Sequence, residues 1–119
     1  MSTPKIEMVK GTLDILILKS LSWGPMHGYA VTRWIRETTD DALQVEEGAL
    51  YPALHRMEER GWLQAEWGIS ENNRRAKFYD LTALGKKQLQ IGSSRWTTFA
   101  ESVAKILSAT DRPVWVAQT

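Results

Sequence analysis

The chain has 119 residues and a net charge of +1; 43% of its residues are apolar, 24% are charged, and it has no cysteine. That length supports one domain with a real core and not two, and the lack of thiols excludes a disulfide scaffold, thiol catalysis and Cys-ligated zinc or iron–sulfur centres. The first ten residues carry no apolar signal region, and no apolar run approaches the roughly 20 residues of a membrane span, so the expected address is the cytoplasm.

In chain order, "KGTLDILILKSLSWG" predicts a first helix with Thr12 as N-cap and Asp14 at the positive end of its dipole. Leu13, Leu16, Ile17 and Leu21 form one stripe, yet Ile15 and Leu18 are apolar too. A helix apolar on most sides needs two neighbours, which hints at a second subunit. Gly24-Pro25 is a turn, and a second helix is expected from His27 to Thr38, with Val31, Trp34 and Ile35 inward and Arg33 and Arg36 outward. An acidic loop, "TTDDALQVEE", follows. In "EGALYPALHRMEERGW", Leu50, Leu54, Met57 and Gly61 are spaced 4, 3 and 4 residues apart and define a buried face. Pro52 is tolerated only near a helix start, so this third helix should begin near Gly48 and end at Gly61 as a C′ residue. "WLQAEW" and "AKFYDLT" read as two strands joined by the polar loop "GISENNRR". Thr82 then caps a long last helix, about Ala83 to Ser108. Along it Leu89, Gly92, Trp96, Phe99, Val103 and Ile106 step 3, 4, 3, 4, 3, the seam of a helix lying along another helix. The tail from 109 onward has no assignment.

Three helices followed by a hairpin predict a mostly α fold with a small β-wing (α+β), a winged helix-turn-helix. Residues 1–81 would form the DNA-binding unit, and residues 82–119 a C-terminal dimerisation helix and tail. In that architecture the third helix enters the major groove of double-stranded DNA. Its slim entry end would let Tyr51, Pro52, His55 and Arg56 approach, with Arg56 the candidate for bidentate contact to guanine. At the wing, Asn73, Arg74, Arg75 and Lys77 suit phosphate contact. The charge distribution agrees: six cations face one anion between positions 72 and 95, whereas positions 37–47 hold only anions.

The segments "KGTLDILIL", "GPMHGYAV", "GALYPALHRMEERGW" and "ENNRRAKFYDLTALGKKQL" occur in that order and together resemble the PadR family of bacterial winged-helix transcriptional regulators. The likeness covers about residues 10 to 107. It implies a homodimeric repressor on a pseudo-palindromic operator, usually responsive to a small molecule, of the compact type whose dimer is made by the C-terminal helix. Ala49 departs from the small hydroxyl residue frequent at its position in the family, and Glu46 and Glu47 place negative charge before the recognition helix.

Several residues carry a plainer reading beside the functional one. Arg74 and Arg75 are either solvated turn residues or DNA contacts, and Tyr51 is either half-buried packing or a phosphate contact. His27 is read as a cap or packing residue rather than a phosphate ligand, and Trp23, Trp34, Trp62 and Trp67 as core or wing packing. Leu89, Trp96, Phe99, Val103 and Ile106 are the expected dimer interface. Trp96 and Phe99 are also candidates to hold a small aromatic effector across a twofold axis, with Gly92 leaving space one turn earlier; an ordinary dimer-core role is preferred by a small margin. No enzyme motif, cofactor loop or metal-ligand spacing appears. The alternative function is a winged-helix interaction module that recruits a protein without touching DNA.

Overall fold

A computed structural model describes residues 11–116. The expected absence of a signal segment in residues 1–10, and the end of the tail at 117–119, lie outside the described residues. The elements are α1 (Thr12–Leu21), β1 (Met26–His27), α2 (Gly28–Thr38), α3 (Glu47–Glu59), β2 (Leu63–Ile69), β3 (Arg75–Leu81) and α4 (Ala83–Leu107). The three strands form one antiparallel sheet in the order β1-β3-β2.

Three expectations change in detail. The cap of α1 is Gly11 in a left-handed conformation (φ 90°), and Thr12 is the first helical residue. A glycine adopts that conformation without the clash a Cβ would bring, so the backbone and not a hydroxyl makes the turn. The wing gains a third strand, because Met26 and His27 pair with Tyr79 and Phe78; two residues are too few to show any alternation. The hairpin is also longer than expected. Ile69 pairs with Arg75, and the loop shrinks to Ser70–Arg74.

The core is the set of apolar faces those helices turn toward one another. Ile17, Leu18 and Leu21 of α1, Val31 and Ile35 of α2, and Leu50, Ala53, Leu54 and Met57 of α3 are buried together with Leu63, Tyr79 and Leu81 of the sheet. The apolarity of α1 on most sides is met within the chain. One side faces this core, and on another Ile15 lies against α4, where a Cβ at Gly92 would stand 3.1 Å from Ile15 Cγ1. The space at Gly92 is therefore used by α1. Of the tryptophans read as core or wing packing, Trp34 and Trp62 pack on the edge of the core and Trp67 lies on the wing, largely exposed, while Trp23 is largely exposed beside Trp34.

Local hydrogen bonds fix the ends of α3 and α4. After α3, Trp62 N donates to Met57 O and Gly61 N to Glu58 O, with Gly61 at φ 79°. This is a Schellman motif, in which glycine supplies the left-handed residue. Thr82 Oγ1 accepts from Gly85 N at 3.0 Å and donates to the carbonyl of Gly61 or Trp62, so the start of α4 is clamped onto the end of α3. Beyond that clamp α4 leaves the core. Leu89 still packs against it, but Trp96 and Phe99 are 46% and 57% exposed, and Ile106 is 76% exposed.

Candidate nucleic-acid interface

The turn between α2 and α3 is set by backbone strain and one hydroxyl. Asp40 and Asp41 both take positive φ (50° and 67°), which short polar side chains tolerate. Thr39 Oγ1 donates to Ile35 O at 2.9 Å and accepts from Leu43 N at 3.0 Å. Leu43 and Val45 then pack onto the core and deliver the chain into α3.

Helix α3 buries Leu50, Ala53, Leu54 and Met57. The 3.6-residue repeat turns Gly48, Pro52, His55 and Glu59 outward as one exposed ridge. Pro52 removes a single ladder hydrogen bond, on that exposed side. His55 Nε2 lies 2.7 Å from Glu59 Oε1 one turn later. The two flanks differ. Arg56 turns toward α1, where its Nη2 donates to Asp14 Oδ1 at 2.6 Å. Tyr51 turns toward α2, and a Cβ on Gly28 would stand 2.8 Å from Tyr51 Cε1. Gly28 thus gives the tyrosine ring its seat.

The wing closes the Tyr51 side. Asn73 N donates to Ser70 O at 2.9 Å and Ser70 N to Arg74 O at 2.8 Å. Asn73 itself sits in the left-handed region at φ 58°. Within the Ser70–Arg74 loop, the bond between those two residues closes a turn of three, residues 71–73, whose last position favours Gly or Asn, so Asn73 has a backbone role in shaping the tip. The Arg75 guanidinium carbon lies 4.6 Å from the centre of the Trp67 ring. Between wing and helices opens a cleft of about 600 Å³, into which Tyr51, Arg74, Arg75 and Lys77 all project. His27, Tyr29 and Asn72 line it too. Of the candidate DNA contacts, four share this cleft, Pro52 and His55 stand on the ridge beside it, Asn73 shapes the loop, and Arg56 lies on the far flank.

Tyr29 is the residue that sequence reasoning passed over. It is 55% exposed and its ring stacks near that of His27, with centroids 6.4 Å apart. The signal in "MHGY" was present but read only as a helix start. His27 is indeed a cap: its Nδ1 accepts from Ala30 N at 3.2 Å.

Lys77 has a second duty. Its Nζ donates to Glu58 Oε1 at 3.0 Å and ties the wing to α3; that bond raises the lysine pKa above its ordinary 10.5. A raised folded-state pKa means the contribution to stability is complete below 10.5 and is lost as pH rises through the shifted value. Both side chains are about one-third exposed, so the pair contributes only about 0.5 kcal/mol. Burial also pushes the Tyr79 phenol up, which gives the wild type a loss in the same direction. The comparison with Glu58→Gln separates the two. The difference in melting temperature should be constant at neutral pH and shrink above 10.5; a difference that persists into strong alkali would mean the pair is not what holds the wing.

Apart from this cleft, α1 and α4 enclose a groove of about 480 Å³ lined by Asp14, Ile15, Trp62, Arg95, Trp96 and Phe99. It brings Trp96 and Phe99 together and adds Trp62. Among the described residues no group of three His, Asp or Glu side chains could hold a metal ion, and no helix is long and apolar enough to cross a membrane.

The family model described as the transcriptional regulator PadR-like family matches residues 17–91. A PadR family transcription regulator from Clostridium difficile is 30% identical in sequence; the match covers 82% of this chain and 100% of that one, with a TM-score of 0.71. A transcriptional regulator from Clostridium thermocellum is 29% identical over 81% of this chain and 93% of its own, with a TM-score of 0.73. An uncharacterised protein of Lysinibacillus sphaericus is 27% identical over 97 residues, 82% of this chain and 89% of the relative.

Proposed function

The chain belongs to the PadR-like family of transcriptional regulators, which are DNA-binding proteins and not enzymes, and from that premise we propose that it is a homodimeric repressor of a pseudo-palindromic operator. The observation that carries the DNA reading is the shared cleft: α3 and the wing place Tyr51, Arg74, Arg75 and Lys77 on one concave wall beside the open ridge of Pro52 and His55. A duplex laid along that wall meets cations and hydroxyls at its phosphates and a slim helix at its bases. Arg56 can join these contacts with the N–H donors that Asp14 leaves unused or by exchanging that carboxylate for DNA, since its Nη2 is already paired.

In this reading residues 1–81 bind DNA and residues 82–119 make the dimer. The support is the exposed stripe Trp96, Phe99, Val103 and Ile106, whose heptad spacing matches a second copy of α4. Twofold pairing would set the two recognition helices about 34 Å apart, one turn of DNA. The groove beside Trp96 and Phe99 adjoins that stripe, and a small aromatic effector held there would relieve repression if it favours a different spacing of the two heads.

Salt dependence tests the DNA reading. Operator affinity should fall steeply as salt rises, and Arg74→Ala should flatten the slope of log K against log salt by about 0.9 while weakening operator and random duplex alike. An unchanged slope would remove Arg74 from the phosphate contacts.

A further inference from the structure

Trp67 holds the largest side chain of the wing in an exposed position, outside the core. Its place is explained by what lies over it. The register pairs Trp67 with Lys77 and Ile69 with Arg75, so all four side chains share one face of the hairpin. On that face the guanidinium of Arg75 sits 4.6 Å from the indole centre, within cation–π range. The same face opens into the cleft where Trp67 and Arg75 meet Tyr51 and His27. Lys77, which lies 5.3 Å from the centre of the Tyr79 ring, is held by the Glu58 carboxylate, and Arg74 stands on the turn, so Arg75 is the wing cation whose direction the exposed indole sets.

We propose that Trp67 is a positioning residue for DNA binding: its ring holds the Arg75 guanidinium over the face of the wing, ready for a duplex phosphate. The inference rests on the reading that Arg75 meets DNA. An unsupported arginine must give up its rotamer freedom when it binds, whereas one already laid on an indole has given it up beforehand. A cation–π contact uses the charge of the guanidinium and needs no hydrogen bond, so N–H donors remain for a phosphate oxygen.

The test is a cycle of full-length variants titrated with operator and random duplex: wild type, Trp67→Ala, Trp67→Phe, Arg75→Ala and the Trp67→Ala/Arg75→Ala double variant. Trp67→Ala should weaken binding to both duplexes about threefold, the worth of one exposed cation–π contact. Trp67→Phe should recover part of that loss. In the Arg75→Ala background the tryptophan substitution should have no further effect. An equal loss in both backgrounds would mean that the ring touches DNA itself or merely props the wing, and would overturn the proposal. So would a silent Trp67→Ala beside a weakened Arg75→Ala, which leaves the arginine contact standing. A silent Arg75→Ala with an unchanged salt slope rejects the contact and the platform together. Trp67 is 58% exposed, so melting temperatures should stay close to wild type across the set and keep these outcomes readable.

Discussion

Phe99→Asp should give a folded protomer that no longer pairs, and its operator affinity should fall by about 100-fold or more, the gain that linking two half-site contacts supplies. Phe99 is 57% exposed within one protomer and stands outside the buried cluster, so a carboxylate there does not disturb the fold of residues 11–116. In a dimer built on this stripe the carboxylate would be buried among apolar side chains, and a buried charge is far more costly than a lost contact. Leu89, earlier on the same seam, packs against the protomer's own core and keeps α4 attached. Sedimentation and operator titration on the same samples would check both halves. A monomeric variant with undiminished operator affinity would end the dimer reading, and a variant that remains dimeric would move the interface off this stripe.

That result bears on what could be read from the sequence. The exposed apolar stripe Trp96, Phe99, Val103 and Ile106 of α4 was legible because its spacing is a property of one helix. The ends of α3 and α4 were legible for a similar reason: Gly61 and Thr82 act on backbone groups within a few residues of themselves. The two-residue strand β1 was not, because its existence depends on Tyr79 and Phe78 more than 50 positions away. A short run gains strand character only from the strand it meets.

The interface followed the same division. Sequence alone identified the cations and the outward side of α3, but not which cations are already engaged. Arg56 is bound to Asp14 across 42 positions and Lys77 to Glu58 across 19, and neither carboxylate is close to its partner in the sequence. The seat of Tyr51 on Gly28 is equally hidden, since the glycine looks like a helix-start residue until the tyrosine ring arrives over it. Arg56 is thus paired in part within the chain, whereas three of the cations counted between positions 72 and 95, Arg74, Arg75 and Lys77, do line the wing cleft.

Gly85→Ala should destabilise the protein by about 3 kcal/mol and lower its melting temperature by on the order of 10 °C. On local grounds the opposite is expected: Gly85 has an ordinary helical backbone, and alanine is favoured over glycine inside a helix by about 1 kcal/mol. Packing decides against propensity. A methyl at Gly85 would fall onto the carbonyl oxygen of Trp62 and lie 3.1 Å from its carbonyl carbon, and that backbone cannot swing aside as a flexible side chain would. The same carbonyl accepts from Thr82 N at 3.1 Å and from the Thr82 hydroxyl at 3.0 Å. To make room, the chain must give up the clamp or tilt α4 away from the end of α3. Either change alters the angle between the winged-helix unit and α4; if α4 makes the proposed dimer, operator binding should weaken more than stability alone explains, even at temperatures where the variant stays folded. Thermal melts of Gly85→Ala beside Ala83→Gly, an exposed site on the same turn where only propensity acts, separate the two effects. A Gly85→Ala protein as stable as the wild type would show that α4 does not sit on the Trp62 carbonyl, and the fixed angle between the winged-helix unit and α4 would lose its physical basis.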